Sequence, residues 1–183
     1  VRVETVVQTQ ATCDMDVPVT ILLPVRRAKY QHFLECWQSI VGQTHKSWKL
    51  VIVDDGENEP RADQLLRSLA NNSRVTVVRG SRNGLPSALN LGVSYCSTEL
   101  IARMDVDDVM LPNRLEVQTK KFASDSRMDV LGAGIQAFGN ESWTKTHPEN
   151  VSLRYIIDSQ WGLNHPTVMF RRSSLHLVDG YSE

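Results

Sequence analysis

Cysteine is scarce. Cys13, Cys36 and Cys96 are the only three in 183 residues, an odd number with no C-x-x-C spacing, which argues against a disulfide framework or a zinc site and favours reduced thiols. Long apolar runs are also missing. VTILLPV and LVIV are far shorter than the roughly 20 residues of a membrane-spanning helix, and no basic-then-apolar amino terminus marks a secretion signal. Charge of one sign is not in excess: 20 Lys and Arg stand against 21 Asp and Glu, a formal net charge of -1. Nothing global therefore advertises a nucleic acid or an anionic membrane as partner. No G-x-x-x-x-G-K-[ST] segment occurs, nor a G-x-G-x-x-G after the first apolar strand, so a P-loop and a dinucleotide-binding Rossmann fingerprint lose support. No His or Cys cluster competes for a soft metal, and there is no internal repeat or low-complexity tract.

What is present is an ordered alternation. With 41% hydrophobic residues the chain can bury one core of ordinary size. Residues 1–17 read as a lead-in or appended edge strand, and 18–183 as one domain. Beginning at Val1 rather than Met, the chain reads as a processed form or a piece of something longer. VPVTILLPV is a near-continuous β-branched run suited to a strand covered on both faces. Tyr30 to Val41 places Phe33, Leu34, Trp37, Ile40 and Val41 on a helical stripe ended by Gly42. WKLVIVDDGEN is a second strand, RADQLLRSLANN a helix, RVTVVRG a third strand, and PSALNLGVSYC a helix reached through the turn-rich RGSRNGL. ELIARMD is the fourth strand. Helices are expected over Pro112 to Phe122, with Leu115, Thr119 and Phe122 inward, and over Asn150 to Gln160; DVLGAGIQAFG reads as a strand broken by glycines and HPTVMFRRS as a final strand before a short helix. Strand alternating with helix predicts an α/β fold with a mostly parallel central sheet flanked by helices.

Ligands of such sheets sit beyond the carboxyl ends of the strands, where strand order reverses. Asp54 and Asp55 end the second strand, and Asp105, Asp107 and Asp108 follow the fourth, so both acidic clusters fall on one rim. If strand geometry persists through Val106, Asp105 and Asp107 face the same way and can share one divalent ion. A polar turn capping the helix announced by Pro112 is the bland alternative, and a structural calcium loop a second, although the run of alternating ligands and the central Gly of an EF-hand are lacking. Oxygen-only ligation suits Mg2+ or Mn2+. Asp54 and Asp55 can accept hydrogen bonds from a base or ribose, and Arg79, Arg82 or the cations around Arg26, Arg27 and Lys29 can approach phosphates, although each cation taken singly is most simply a solvated surface residue.

Taken in order, VTILLPV, the helix ending SIVGQT, WKLVIVDDG, RNGLPSALNLGVSYCSTELIARMDVDDVMLPNRLE and NHPTVMFRRSSL with GYSE resemble the catalytic domain of glycosyltransferase family two, the GT-A fold, from about Pro18 onward. The resemblance implies transfer of a sugar from a nucleotide-diphosphate donor, a UDP-sugar being expected, to a hydroxyl of a glycan, lipid-linked or other acceptor, with inversion and with Mn2+ or Mg2+. By position it implies donor contacts at Pro24, Asp54 or Asp55, Asn83, Gly84, Asn90, Asp105 and His165, and a metal site at Asp105, Asp107 and Asp108. A lone His such as His165 also fits a hydrogen-bonded packing role.

The resemblance breaks in two places. Where relatives carry a Pro-Val-Tyr-Asn-x-Glu type segment, this chain has Pro24-Val25-Arg26-Arg27-Ala28-Lys29, a cation in place of an acid near the nucleoside pocket. Inverting transfer also needs a base for the acceptor hydroxyl. The family's carboxylate for that task lies in a Glu-Asp pair after the GYSE region, beyond Glu183, so the catalytic residue is left unassigned and apolar surface is expected near the carboxyl end. Two other readings stay open: a nucleotide-sugar-binding domain without catalysis or an inactive fragment, and a sugar-phosphate nucleotidyltransferase, which a Gly-rich phosphate loop after the first strand would favour. Free cysteines and no signal suggest a cytoplasmic protein, with association to a membrane left open.

Overall fold

A computed structural model describes residues 16–139, 142–146 and 162–182. The lead-in up to residue 15 and the helix expected over Asn150 to Gln160 lie outside the described residues. Four strands, β1 (Val19–Arg26), β2 (Trp48–Gly56), β3 (Val75–Arg79) and β4 (Leu100–Arg103), run parallel in the spatial order β3-β2-β1-β4. Between them run α1 (Tyr30–Val41), α2 (Pro60–Leu69) and α3 (Leu85–Tyr95). The α/β class expected from the sequence, a mostly parallel central sheet flanked by helices, is the one observed.

The apolar runs of β1 and β2 are covered on both faces because alternate side chains go opposite ways. Ile21, Leu23 and Val25 join Leu50 and Ile52 in one core with α1 and α2, while Leu22, Val51 and Val53 pack against Ala88, Leu89 and Val93 of α3 on the other. Gly92 lets α3 lie close on the sheet, since a Cβ there would overlap Leu22 and crowd Val53. In α1 the buried stripe is Phe33, Cys36 and Ile40. Val41, expected inward, is 47% exposed, because it is the helix's last residue and the chain turns away at Gly42.

The remaining elements depart more from expectation. The helix α4 is Arg114–Ser124 rather than Pro112 to Phe122; Leu115, Thr119 and Phe122 are buried as expected, and so is Gln118. DVLGAGIQAFG is not one strand: β5 (Val130–Leu131) joins the main sheet, whereas β6 (Ile135–Gln136) pairs with β7 (Thr144–Lys145) in a separate ribbon. Gly132 and Gly134 lie between them, where a Cβ would press on the Leu163 side chain and sit tightly against the Lys145 carbonyl, respectively. HPTVMFRRS splits into a 3-10 turn (His165–Thr167), the strand β8 (Met169–Arg171) and the start of α5 (Arg172–His176). The β8 strand runs antiparallel to β4 and β5 and completes the order β3-β2-β1-β4-β8-β5. Near the carboxyl end Leu177 and Val178 are 86% and 68% exposed, the apolar surface expected there. Among the described residues no helix is long and apolar enough to cross a membrane.

Candidate functional site

Strand order reverses between β1 and β4: the chain moves from β1 outward to β2 and β3, then crosses back through α3 to β4 on β1's other side. At the carboxyl ends of such neighbours the connections diverge and leave a crevice. A cleft of about 550 Å³ opens at this place, lined by Pro24 and the turn Arg26 to Lys29 from β1, by Asp55 from the end of β2, by Gly84 before α3, and by Asp105 and Asp107 after β4.

The carboxylates that end β2 are bound by the protein itself. Asp54 accepts from the Gly56 N–H at 2.9 Å, from Asn58 Nδ2 at 3.0 Å and from Arg79 Nη1 at 2.5 Å. Asn58 in turn accepts the Ala28 N–H at 3.0 Å, so Asp54 holds the loops after β1 and β2 together and does not line the cleft. Asp55 does line it, 5% exposed, with one oxygen accepting the Arg82 N–H at 3.1 Å. Gly80 leaves room for this carboxylate, because a Cβ there would fall on Asp55 Oδ1.

The acidic stretch after β4 is built differently. The strand ends at Arg103, and Val106 and Asp107 form a turn, so Asp105 and Asp107 do not alternate along an extended strand as expected. The Asp105 side chain is held from behind by Arg103, which donates from Nη2 at 2.5 Å and from Nη1 at 2.7 Å while itself almost wholly buried. Asp107 is exposed on the cleft wall, and Asp108 lies half-buried outside it. Neither the Asp107 nor the Asp108 carboxylate takes a hydrogen bond or ion pair among the described residues. Burial, and next the charges of Asp105 and Asp107, push Asp108 up to about 6. Among the described residues no three His, Cys, Asp or Glu side chains gather as a ready cation cage.

Other expected donor contacts fall apart from the cleft. Gly84 lines it in a left-handed conformation, φ 93°, at the start of α3, but the neighbouring Asn83 is exposed and does not. Asn90 faces the carboxyl-terminal segment, donating from Nδ2 to the Tyr181 carbonyl and accepting the Tyr181 N–H. His165 packs at 5.6 Å from the Tyr181 ring; its Nε2 is buried without a partner, and burial followed by the Arg103 charge lowers its pKa. Two further arginines brace the acidic stretch. Arg103 reads in sequence as a charge interrupting an apolar strand, yet it fixes Asp105. Arg114, half-buried, donates to the Arg103 carbonyl at 2.9 Å, and so ties α4 to the end of β4; desolvation lowers its pKa to about 10.

A parallel α/β sheet with a carboxylate-lined cleft at its switch point defines a class of ligand-binding folds, and sequence comparison gives the family. The chain belongs to glycosyl transferase family 2, whose model matches residues 20–177. It is 29% identical over 168 residues to the O-antigen biosynthesis glycosyltransferase WbnJ of Escherichia coli, covering 89% of this chain and 65% of that one. It is 28% identical to the amylovoran biosynthesis glycosyltransferase AmsE of Erwinia amylovora, covering 85% and 60%, and 29% identical to the bifunctional glycosyltransferase pgtA of Dictyostelium discoideum, covering 79% and 24%. The chain thus spans between 24% and 65% of the length of these relatives. Among solved structures it is similar to S. aureus TarS in complex with UDP, with a TM-score of 0.75, 18% identity and coverage of 91% and 50%. It is also similar to the mannosyltransferase PcManGT of Pyrobaculum calidifontis in complex with GDP-Man and Mn2+, with a TM-score of 0.65, 16% identity and coverage of 90% and 47%. At these identities the structural likeness shows the GT-A fold.

Proposed function

We propose that the chain carries the donor site of a metal-dependent, inverting glycosyltransferase that takes a sugar from a nucleotide diphosphate, UDP-linked in the first instance, to a hydroxyl of a growing glycan. The observation that carries this reading is the unbalanced acidic wall at the switch point. Asp107 has no side-chain partner among the described residues, and Asp108 is driven toward protonation first by burial and then by the charges of Asp105 and Asp107. Excess negative charge facing a cleft is relieved by a cation. One or two carboxylates completed by phosphate oxygens and water is the usual arrangement for Mg2+ or Mn2+.

In this reading Asp107 and Asp105 hold the ion, Arg103 keeps Asp105 aimed at it, and Asp108 adds negative potential from behind. The bound ion would neutralise charge on the leaving diphosphate. Asp55 accepts a hydrogen bond from the nucleoside, and Asp54 shapes the loop that presents it. The first turn of α3, entered through Gly84, offers unpaired peptide N–H groups to a phosphate. When the acceptor oxygen bonds to the anomeric carbon from the face opposite the leaving group, the bond to the diphosphate oxygen breaks and the acceptor proton passes to a base. The names of the amylovoran and O-antigen relatives support a polysaccharide acceptor.

The test is calorimetric titration of the chain with UDP, UDP-GlcNAc and GDP-Man in the presence of Mn2+, and again with EDTA. Metal-dependent binding of at least one of them is expected. Failure of all to bind with metal present would sink the donor-site reading.

A further inference from the structure

The cleft wall after β1 has an unusual surface for a base. Among the described residues that line the cleft none is Phe, Tyr or Trp. Tyr30, at the start of α1, is not in the lining and has the Arg61 guanidinium over its ring at 4.1 Å. The residues with planar cationic or aromatic groups that do line it are Arg26, Arg27 and His32, and of these the two arginines are the ones held in place by a side-chain partner among the described residues. Both are clasped by one carboxylate from the next loop: Arg26 Nη2 donates to Glu57 Oε1 at 3.0 Å, and Arg27 Nε donates to Glu57 Oε2 at 2.6 Å. Two cations on one anion leave a net positive charge, and with 41% and 71% side-chain exposure both guanidiniums keep surface for a ligand.

The backbone supports the clasp at some cost. Arg27 and Glu57 have φ of 52° and 62°, left-handed values that side chains other than glycine adopt unfavourably. Arg27 N–H donates to the Gly56 carbonyl at 3.1 Å, so the two strained turns are sewn to each other. Such strain persists where surrounding structure over-determines it, most often at ligand sites. The two guanidiniums also hold Glu57 ionised far into acid, its pKa pushed down to about 2, first by the hydrogen bond from Arg27 and then by that from Arg26.

Resting on the donor-site reading above, we propose that Arg26 and Arg27 form the stacking platform for the donor's nucleobase, with Glu57 as the residue that positions it. A guanidinium plane stacks on an aromatic ring and is weakly hydrated, so it can replace an aromatic side chain against a base face. The chain makes the same contact internally, with Arg74 over the Trp48 ring at 3.3 Å. A lysine keeps the charge but has no plane, which separates stacking from simple attraction to phosphate.

The experiment compares, by calorimetry at fixed Mn2+, the binding of UDP, GDP and inorganic pyrophosphate to the chain and to Arg26→Lys/Arg27→Lys. The platform predicts about a tenfold or greater loss for whichever nucleotide binds the parent chain more tightly, with pyrophosphate affinity unchanged. Glu57→Gln should weaken the nucleotide severalfold while leaving pyrophosphate equal or tighter. Replacement by tyrosine at either position, Arg26→Tyr or Arg27→Tyr in the lysine background, should restore nucleotide affinity. Unchanged nucleotide binding by the lysine variant, or equal losses for nucleotide and pyrophosphate, would overturn the platform and leave the metal site standing. A parent chain that binds pyrophosphate but neither nucleotide overturns it as well, and one that binds none of the three overturns the donor-site reading beneath it. Circular dichroism melts of each variant confirm that the comparison is between folded proteins.

Discussion

Two acidic segments sit at the same rim of the sheet, one on each side of β1, and they handle their charge in opposite ways. At the end of β2, Asp54 is surrounded by a guanidinium, an amide and a peptide N–H, and Glu57, just beyond it, by two guanidiniums. After β4, Asp105 has Arg103, but Asp107 and Asp108 have no side-chain partner among the described residues. A carboxylate with its acceptor sites filled by the protein is a structural element. One left without a protein partner beside like charges keeps its lone pairs for an external cation or, where burial is added as at Asp108, for a proton. The same residue type at corresponding strand ends thus builds a wall on one side and a vacancy for charge on the other.

The sharpest way to break this contrast is to remove charge from the unpaired loop. Asp107→Asn should lower Mn2+-dependent UDP affinity on the order of 10- to 100-fold, the scale of lost metal-site contacts, and leave the thermal midpoint unchanged or raised, because an exposed unpaired charge is lost. On the paired loop the effects should be reversed. Asp54→Ala strands Asn58 and the Gly56 N–H and should cost about 2 kcal/mol of stability in urea unfolding, with the Mn2+ site retained. Gly80→Ala probes the one carboxylate of that loop facing the cleft. It should displace Asp55, cost about 1 to 2 kcal/mol as overpacking, and weaken UDP while sparing inorganic pyrophosphate.

The smallest effect sharpens the contrast most finely. In a carboxyl-carbon NMR titration of the metal-free chain, Asp108 should titrate near pH 6 and Glu57 near pH 2. The signs of their linkage to stability are opposite. The raised Asp108 contributes stability that is present below the ordinary Asp value and lost as pH rises through about 6. The lowered Glu57 contributes stability that is present above the ordinary Glu value and lost as pH falls through about 2. Midpoints near the ordinary carboxylate range for both would erase the distinction between the loops.

Much of the framework was legible in sequence because it rests on continuous apolar runs. VTILLPV and LVIV allow only buried strands between turn residues, and the alternation with helical stripes fixes a parallel sheet, which places both acidic clusters on one rim. The site was legible only to the level of those clusters. Whether Asp54 or Asp55 faces a ligand depends on where Arg79, Asn58 and Gly80 lie in space, and those come from loops up to 26 residues away. The fate of the D-x-D pair turned on the strand ending at Arg103, whose side chain reads as a defect in an apolar run and proves to be the partner of Asp105. Past α4 the elements among the described residues shrink to between two and five residues, too short for periodicity to declare itself, and one glycine-broken run was divided between two sheets.

Electron paramagnetic resonance of Mn2+ titrated with the chain, with and without UDP, tests the central claim most directly. The account predicts weak capture of the ion by the chain alone, strong capture when UDP is added, and loss of that gain in Asp107→Asn but not in Asp54→Asn. Mn2+ capture indifferent to UDP, or abolished by Asp54→Asn in a folded protein while Asp107→Asn behaves as the parent, would contradict it.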